Sequence, residues 1–126
     1  MFFHLYFIAY IEKPKENNTL MEQKAVPEVV LNSGHTMPML SFGTSAALLL
    51  PNEELVPILT DAIQVGYRHF DTAAMYGSEE ALGLAIAQAQ NQGLIKNRDD
   101  IFVTTKLWCT DAHPDLVLPA IKNSLQ

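Results

Sequence analysis

Three polar side chains in the middle of this 126-residue sequence have the types and spacing for proton-transfer chemistry: Asp71, Tyr76 five residues on, and Lys106. Singly, each has an ordinary reading. An aspartate leaving a strand satisfies a turn, a loop tyrosine packs over a surface, and a lysine at a strand end is solvated. Together they suggest more. A lysine ammonium beside a tyrosine hydroxyl favours the phenolate and so lowers a pKa that is ordinarily about 10. An aspartate holding the lysine would fix that charge in place. A tyrosine so tuned can act as a general acid near neutrality, passing a proton to a carbonyl oxygen while another group delivers hydride.

Something must bring these residues together, and the hydrophobic pattern says what. Glu28 to Asn32 and Met37 to Leu40 are short apolar runs around the Ser33-Gly34-His35 turn, which predicts a small hairpin whose second strand Pro38 confines to an edge. Ser41 to Thr44 reads as a short buried strand. Asn52 to Val65 has helical spacing, with Leu55, Val56, Ile58, Leu59, Ala62 and Ile63 on one face. Asn52 is expected to cap it, Glu53 and Glu54 to complement its positive end, and Gly66 to stop it. Arg68 to Asp71 reads as a second strand. Ser78 is expected to cap a second helix, with Leu82, Leu84, Ala85 and Ile86 inward and Gly93 at its end. Ile101 to Lys106 is the clearest strand, and a third helix begins near His113-Pro114 and meets a second proline, Pro119.

Strand and helix therefore alternate, as in parallel βαβ units, where chemistry gathers at the carboxyl ends of the strands. Asp71 and Lys106 stand at two such ends. After the first strand, Gly43-Thr44-Ser45-Ala46-Ala47-Leu48 has a single glycine, so the G-x-G-x-x-G dinucleotide fingerprint is absent. A barrel and another doubly wound sheet both remain compatible with the periodicity.

Composition narrows the function classes. With 48% hydrophobic and 17% charged residues the chain is globular rather than disordered. The net charge of −6, from 8 Lys+Arg against 14 Asp+Glu, argues against nucleic acid as a partner. The single cysteine, Cys109, excludes an intrachain disulfide and a cysteine-based zinc cluster, and no metal site is expected. The aromatic opening MFFHLYFIAYI has no preceding Lys or Arg and no cleavage site after it. It is also shorter than the roughly 18 to 20 apolar residues that span a bilayer, so neither secretion nor a membrane is expected. Residues 1–25 read as an extension without fixed structure, residues 26–126 as the domain, and the composition as cytoplasmic in character.

The stretch GYRHFDTAAMYGSEEALG (Gly66 to Gly83) closely resembles the signature of the aldo-keto reductases. TKLWCTDAHPDLVLPAIKNSL (Thr105 to Leu125) resembles their next strand and helix. The wording from about Glu28 onward is most similar to the plant branch that includes codeinone-reductase-like and chalcone-reductase-like enzymes. The resemblance implies an α/β fold: the first three βα units, with a bottom hairpin, of a TIM (β/α)8 barrel. It also implies NADPH-dependent reduction of a small aldehyde or ketone by proteins that are monomeric at full length. Asp71, Tyr76 and Lys106 match three members of the family's catalytic tetrad, with Tyr76 as proton donor. Gly43, Thr44 and Asp71 match cofactor-binding positions, and Ser45 and Trp108 match the substrate pocket.

The departures set further expectations. The fourth tetrad member is a histidine ending the fourth strand, which would fall beyond Gln126, as would the basic segment that grips the 2′-phosphate. His35, His69 and His113 lie in the wrong contexts to replace it. Ser41 stands where the family usually has glycine, and Ala46 to Leu50 is unusually apolar for a loop beside an active site. A barrel of eight strands needs about 250 residues. Three strands leave two edges and an apolar face open, so these residues alone are expected to be inactive. A noncatalytic fragment that binds a related barrel through those edges is the alternative.

Overall fold

The computed structural model describes residues 26–45 and 50–126. The expected extension, residues 1–25, and all of the apolar Ala46 to Leu50 run except Leu50 lie outside the described residues.

The chain opens with an antiparallel hairpin, β1 (Glu28–Val30) and β2 (Thr36–Pro38), in which Glu28 faces Pro38 and Val30 faces Thr36. Pro38 closes β2, where its missing N–H costs no ladder bond. A three-stranded parallel sheet follows, in the order β3 (Phe42–Gly43), β4 (His69–Asp71), β5 (Phe102–Thr104). Between and after its strands run α1 (Asn52–Gln64), α2 (Glu79–Asn91) and α3 (Pro114–Ser124). The strands are shorter than the sequence suggests. In particular β5 ends at Thr104, so Lys106 lies two residues beyond the ladder rather than within it.

Strand alternation sorts the side chains. Phe42 and Phe70 stand in register on one face and pack against each other and against Tyr67, whose ring meets Phe42 edge-on at 5.3 Å. That face is covered by α1 and α2. Leu55, Leu59, Ala62 and Ile63 of α1 meet Ala81, Leu82, Ala85, Ile86 and Ala89 of α2 around the fully buried Phe70. The alanines at 81, 85 and 89 share one line on α2 and let the two helices approach closely. Burying side chains such as Leu59, Ile63 and Phe70 stabilises by roughly 1.5–3 kcal/mol each relative to exposure.

Two apolar assignments do not hold. Ile58 is 44% exposed and Leu84 52%. At 100° per residue Leu84 falls on the far side of the stripe made by residues 81, 82, 85, 86 and 89, and Ile58 falls at the edge of its own.

The C-termini of α1 and α2 match the sequence expectations and their N-termini depart from them. Both stop signals hold: Tyr67 N–H reaches Ala62 O at 3.0 Å and Leu94 N–H reaches Ala89 O at 2.9 Å, closing the last turns around Gly66 and Gly93. Arg68 adds bonds from its guanidinium to the Ile63 and Tyr67 carbonyls, at the negative end of α1. The two expected N-caps fail. Pro51 precedes α1, and Asn52, already inside it, donates instead to Glu80 of α2. Ser78 precedes α2 with a helical ψ of −3° and makes no side-chain cap. At α3 the His113 ring does accept from Asp115 N–H, with Pro114 in the first turn, and Pro119 lies inside the helix.

Candidate functional site

The opposite face of the sheet carries polar groups. In register across it run Gly43, Asp71 and Thr104, with His69 and Phe102 one layer below. His69 is buried between the sheet and the hairpin. Its Nδ1 lies 2.8 Å from the Pro38 carbonyl and its Nε2 2.9 Å from Thr104 Oγ1. A carbonyl only accepts, so Nδ1 carries a proton and donates it to the Pro38 carbonyl, while Nε2 and the Thr104 hydroxyl share the second bond. His69 is thus a structural tie between hairpin and sheet. His35 lies in the hairpin turn against Ser33, and His113 caps α3.

The carboxyl ends of the strands bring the three expected polar residues together. The Lys106 ammonium donates to Asp71 Oδ1 and, at 3.0 Å, to the Thr72 carbonyl. It also stands over the Tyr76 ring, 5.0 Å from the centroid. Partial burial would lower the Lys106 pKa, but the hydrogen bond and charge of Asp71, with a smaller contribution from Tyr76, outweigh it, leaving the group above its ordinary 10.5. With side chains 44% and 37% exposed, the Lys106–Asp71 pair adds little to stability, and its consequence is positional.

Tyr76 ends a short 3-10 turn, Ala74–Tyr76, between β4 and α2. Gly77 follows with φ of 65°, a left-handed conformation that lets the chain turn straight into α2 and that a side chain would strain. Gly43 is exposed at the end of β3, and a Cβ built there meets nothing within 4 Å among the described residues. Thr44, by contrast, is buried. Its N–H and its hydroxyl both donate to the Asp71 carbonyl, at 3.0 and 3.1 Å, so its hydroxyl proton is committed within the protein. Ser45 is exposed next to it. Trp108, 42% exposed, precedes the turn Cys109–Asp111 after β5.

Other side chains join the site beyond those the sequence singles out. Ser78 bonds Thr44 and Thr72 rather than its own helix, and Thr105 donates to Glu79 at 2.6 Å, tying the segment after β5 to the start of α2. The hydroxyl spacing Thr72…Ser78 across one loop was the available signal. Ser41 Oγ is buried without a hydrogen-bond partner among the described residues, at the position expected to depart from glycine.

A parallel α/β sheet that gathers a lysine–aspartate pair and a tyrosine at its carboxyl ends places the chain in the α/β class. Residues 39–126 match the family model described as the aldo/keto reductase family, and the chain belongs to that family, whose fold is a TIM barrel. It is 57% identical over 106 residues to Protein REDOX 2 of Catharanthus roseus, covering 83% of this chain and 33% of that protein. It is 56% identical over 106 residues to NADPH-dependent codeinone reductase 1-4 of Papaver somniferum, covering 84% and 33%. It also resembles the crystal structure of a Bombyx mori aldo-keto reductase in complex with NADP, with a TM-score of 0.72 and 41% identity over 79% of this chain and 33% of that one. The chain spans about a third of the length of the curated relatives it matches.

Proposed function

We propose that residues 26–126 supply the first three βα units of an NADPH-dependent carbonyl reductase barrel, and with them most of its proton-transfer machinery. One observation carries this reading: Lys106 is held by Asp71 at the end of one strand and poised over Tyr76 from the next loop. The relatives named as NADPH-dependent reductases and the neighbour solved with NADP support it.

The rim fits the nicotinamide end of such a cofactor, because the space left by the missing Cβ of Gly43 opens beside Asp71. When bound, NADPH supplies hydride to the carbonyl carbon. Tyr76 would donate its phenolic proton to the carbonyl oxygen, and the adjacent Lys106 charge would stabilise the phenolate left behind. Asp71 would keep that charge in position. Thr44 would hold the Asp71 backbone and so the floor beneath the cofactor. Ser45 and Trp108 would border a small aldehyde or ketone.

A polypeptide of these 126 residues alone would lack reductase activity. Among the described residues β3 and β5 have free edges, and the catalytic rim lies open to water, which weakens its electrostatics. The test is a full-length chimera in which residues 26–126 replace the matching segment of the Papaver somniferum codeinone reductase, assayed for NADPH oxidation with a small aldehyde. The chimera should turn over, the chain alone should not, and Tyr76→Phe in the chimera should lose roughly 10²–10⁴-fold in rate. A folded but inactive chimera would overturn the reading.

A second reading follows from the open edges and from α3, where Leu116, Leu118 and Ile121 are all more than 40% exposed. The chain would then act by binding a related barrel. Co-elution with a full-length relative in size exclusion supports this, and elution as a stable monomer in that mixture opposes it.

A further inference from the structure

Three hydroxyls behind the rim form a chain whose direction can be derived. Thr44, Thr72 and Ser78 are 3%, 1% and 0% exposed. Thr44 Oγ1 lies 3.1 Å from the Asp71 carbonyl, 2.7 Å separates Thr44 Oγ1 from Ser78 Oγ, and 2.8 Å separates Ser78 Oγ from Thr72 Oγ1. The carbonyl can only accept, so Thr44 spends its one proton on Asp71. Ser78 must then donate to Thr44, and Thr72 must donate to Ser78. The order Thr72 to Ser78 to Thr44 to Asp71 uses every proton once, and each bond polarises the next.

This chain closes the loop that carries Tyr76. Residues 72–78 leave β4 and return at α2, and Thr72 and Ser78 are the two ends. Their bond shuts the loop at its base, and the bond from Ser78 to Thr44 pins that base to β3. The Thr72 carbonyl accepts from Lys106, so the group facing Tyr76 is anchored to the same base. Ser78 also stands where its hydroxyl could cap α2, yet makes no cap. Its hydroxyl is committed wholly to the loop.

We propose that Ser78 is a positioning residue that sets Tyr76 against Lys106, an inference that rests on the reductase reading above. Burial gives a lost bond no water to replace it. Removing the Ser78 hydroxyl leaves Thr72 with a buried donor lacking an acceptor, and the loop must shift to satisfy it.

The test uses the same full-length chimera with Ser78→Ala and Ser78→Thr, and reads the other end of the chain with Thr72→Val and Thr72→Ser. Ser78→Ala and Thr72→Val should lower kcat by about 10- to 100-fold, the scale of a misplaced catalytic group, and should move the pH profile of kcat. NADPH affinity, read by fluorescence quenching, should fall by less than kcat, since Thr44 keeps its own bonds to the Asp71 carbonyl when the bond from Ser78 is lost. Ser78→Thr and Thr72→Ser keep the hydroxyls and should restore both kcat and its profile. A lowered Tm with unchanged kcat and pH profile would make the role structural and overturn the proposal. So would equal loss in the hydroxyl-retaining pair. An inactive unmodified chimera would instead remove the reductase reading on which the inference stands, and the proposal with it. Where Ser78→Ala fails to fold, the Thr72 pair decides.

Discussion

Helices α1, α2 and α3 are similar in length and apolar content, yet α1 and α2 each bury five residues and α3 buries none among the described residues. The first two share a neighbour. Each packs on the other and on the Phe42–Phe70 face, so their apolar stripes find partners across a common groove. In the third, Leu116, Leu118 and Ile121 all stay exposed, Leu118 at 67%, and among the described residues only the turn Cys109–Asp111 makes extensive contact with it. An apolar stripe is an offer of burial, and stability follows only when another element accepts it.

The sharpest way to break this comparison is to empty one side of it. Phe70→Ala should destabilise the chain by about 3–5 kcal/mol in denaturant unfolding, whereas Leu118→Ala should stay within about 0.5 kcal/mol. Comparable losses would show α3 to be as integrated as α1 and α2. A smaller effect should follow from filling the close helix contact. Ala85→Leu, at a fully buried position between α1 and α2, should cost about 1–3 kcal/mol by overpacking. Smaller still, and of opposite sign, Ser41→Ala removes a buried hydroxyl that has no partner among the described residues and should stabilise by about 1 kcal/mol. A loss there would mean that the hydroxyl is satisfied.

The least stability effect belongs to the exposed rim, and it is visible in pH dependence. The Lys106 pKa is raised in the folded chain. Its contribution is therefore present below its ordinary 10.5 and lost as pH rises through the folded value. Asp71→Asn removes the charge that helps raise it and leaves a neutral acceptor, so Lys106 should deprotonate at lower pH, measurable by NMR of its side-chain nitrogen. No change would detach Asp71 from the pair.

Much of the fold was legible because it depends on local chemistry. The glycine stops at Gly66 and Gly93, the hairpin around Gly34, and the strand–helix alternation all follow from backbone freedom and period. Leu84 was misread because it lies next to the inward stripe in sequence but on the far side of the helix in space. Asn52 and Ser78 were misread as caps because capping is a local preference. Here each side chain met a stronger long-range partner, Glu80 for Asn52 and the two threonines for Ser78.

The candidate site divides along the same line. Residue types, spacing and strand-end placement alone single out Asp71, Tyr76 and Lys106. The route of their connection was decided in three dimensions. Lys106 had to pass beyond β5 to reach both Asp71 and the Thr72 carbonyl, and the Thr44 hydroxyl meets the Asp71 backbone carbonyl 27 residues further along the chain. Sequence alone determined the family, the chemistry-bearing residues and the order of the elements, because these reside in side-chain identity and local periodicity. Tertiary structure alone decided which hydroxyls join, which apolar faces are buried and where the lysine points. Those outcomes depend on atoms far apart in the chain arriving within about 3 Å of one another.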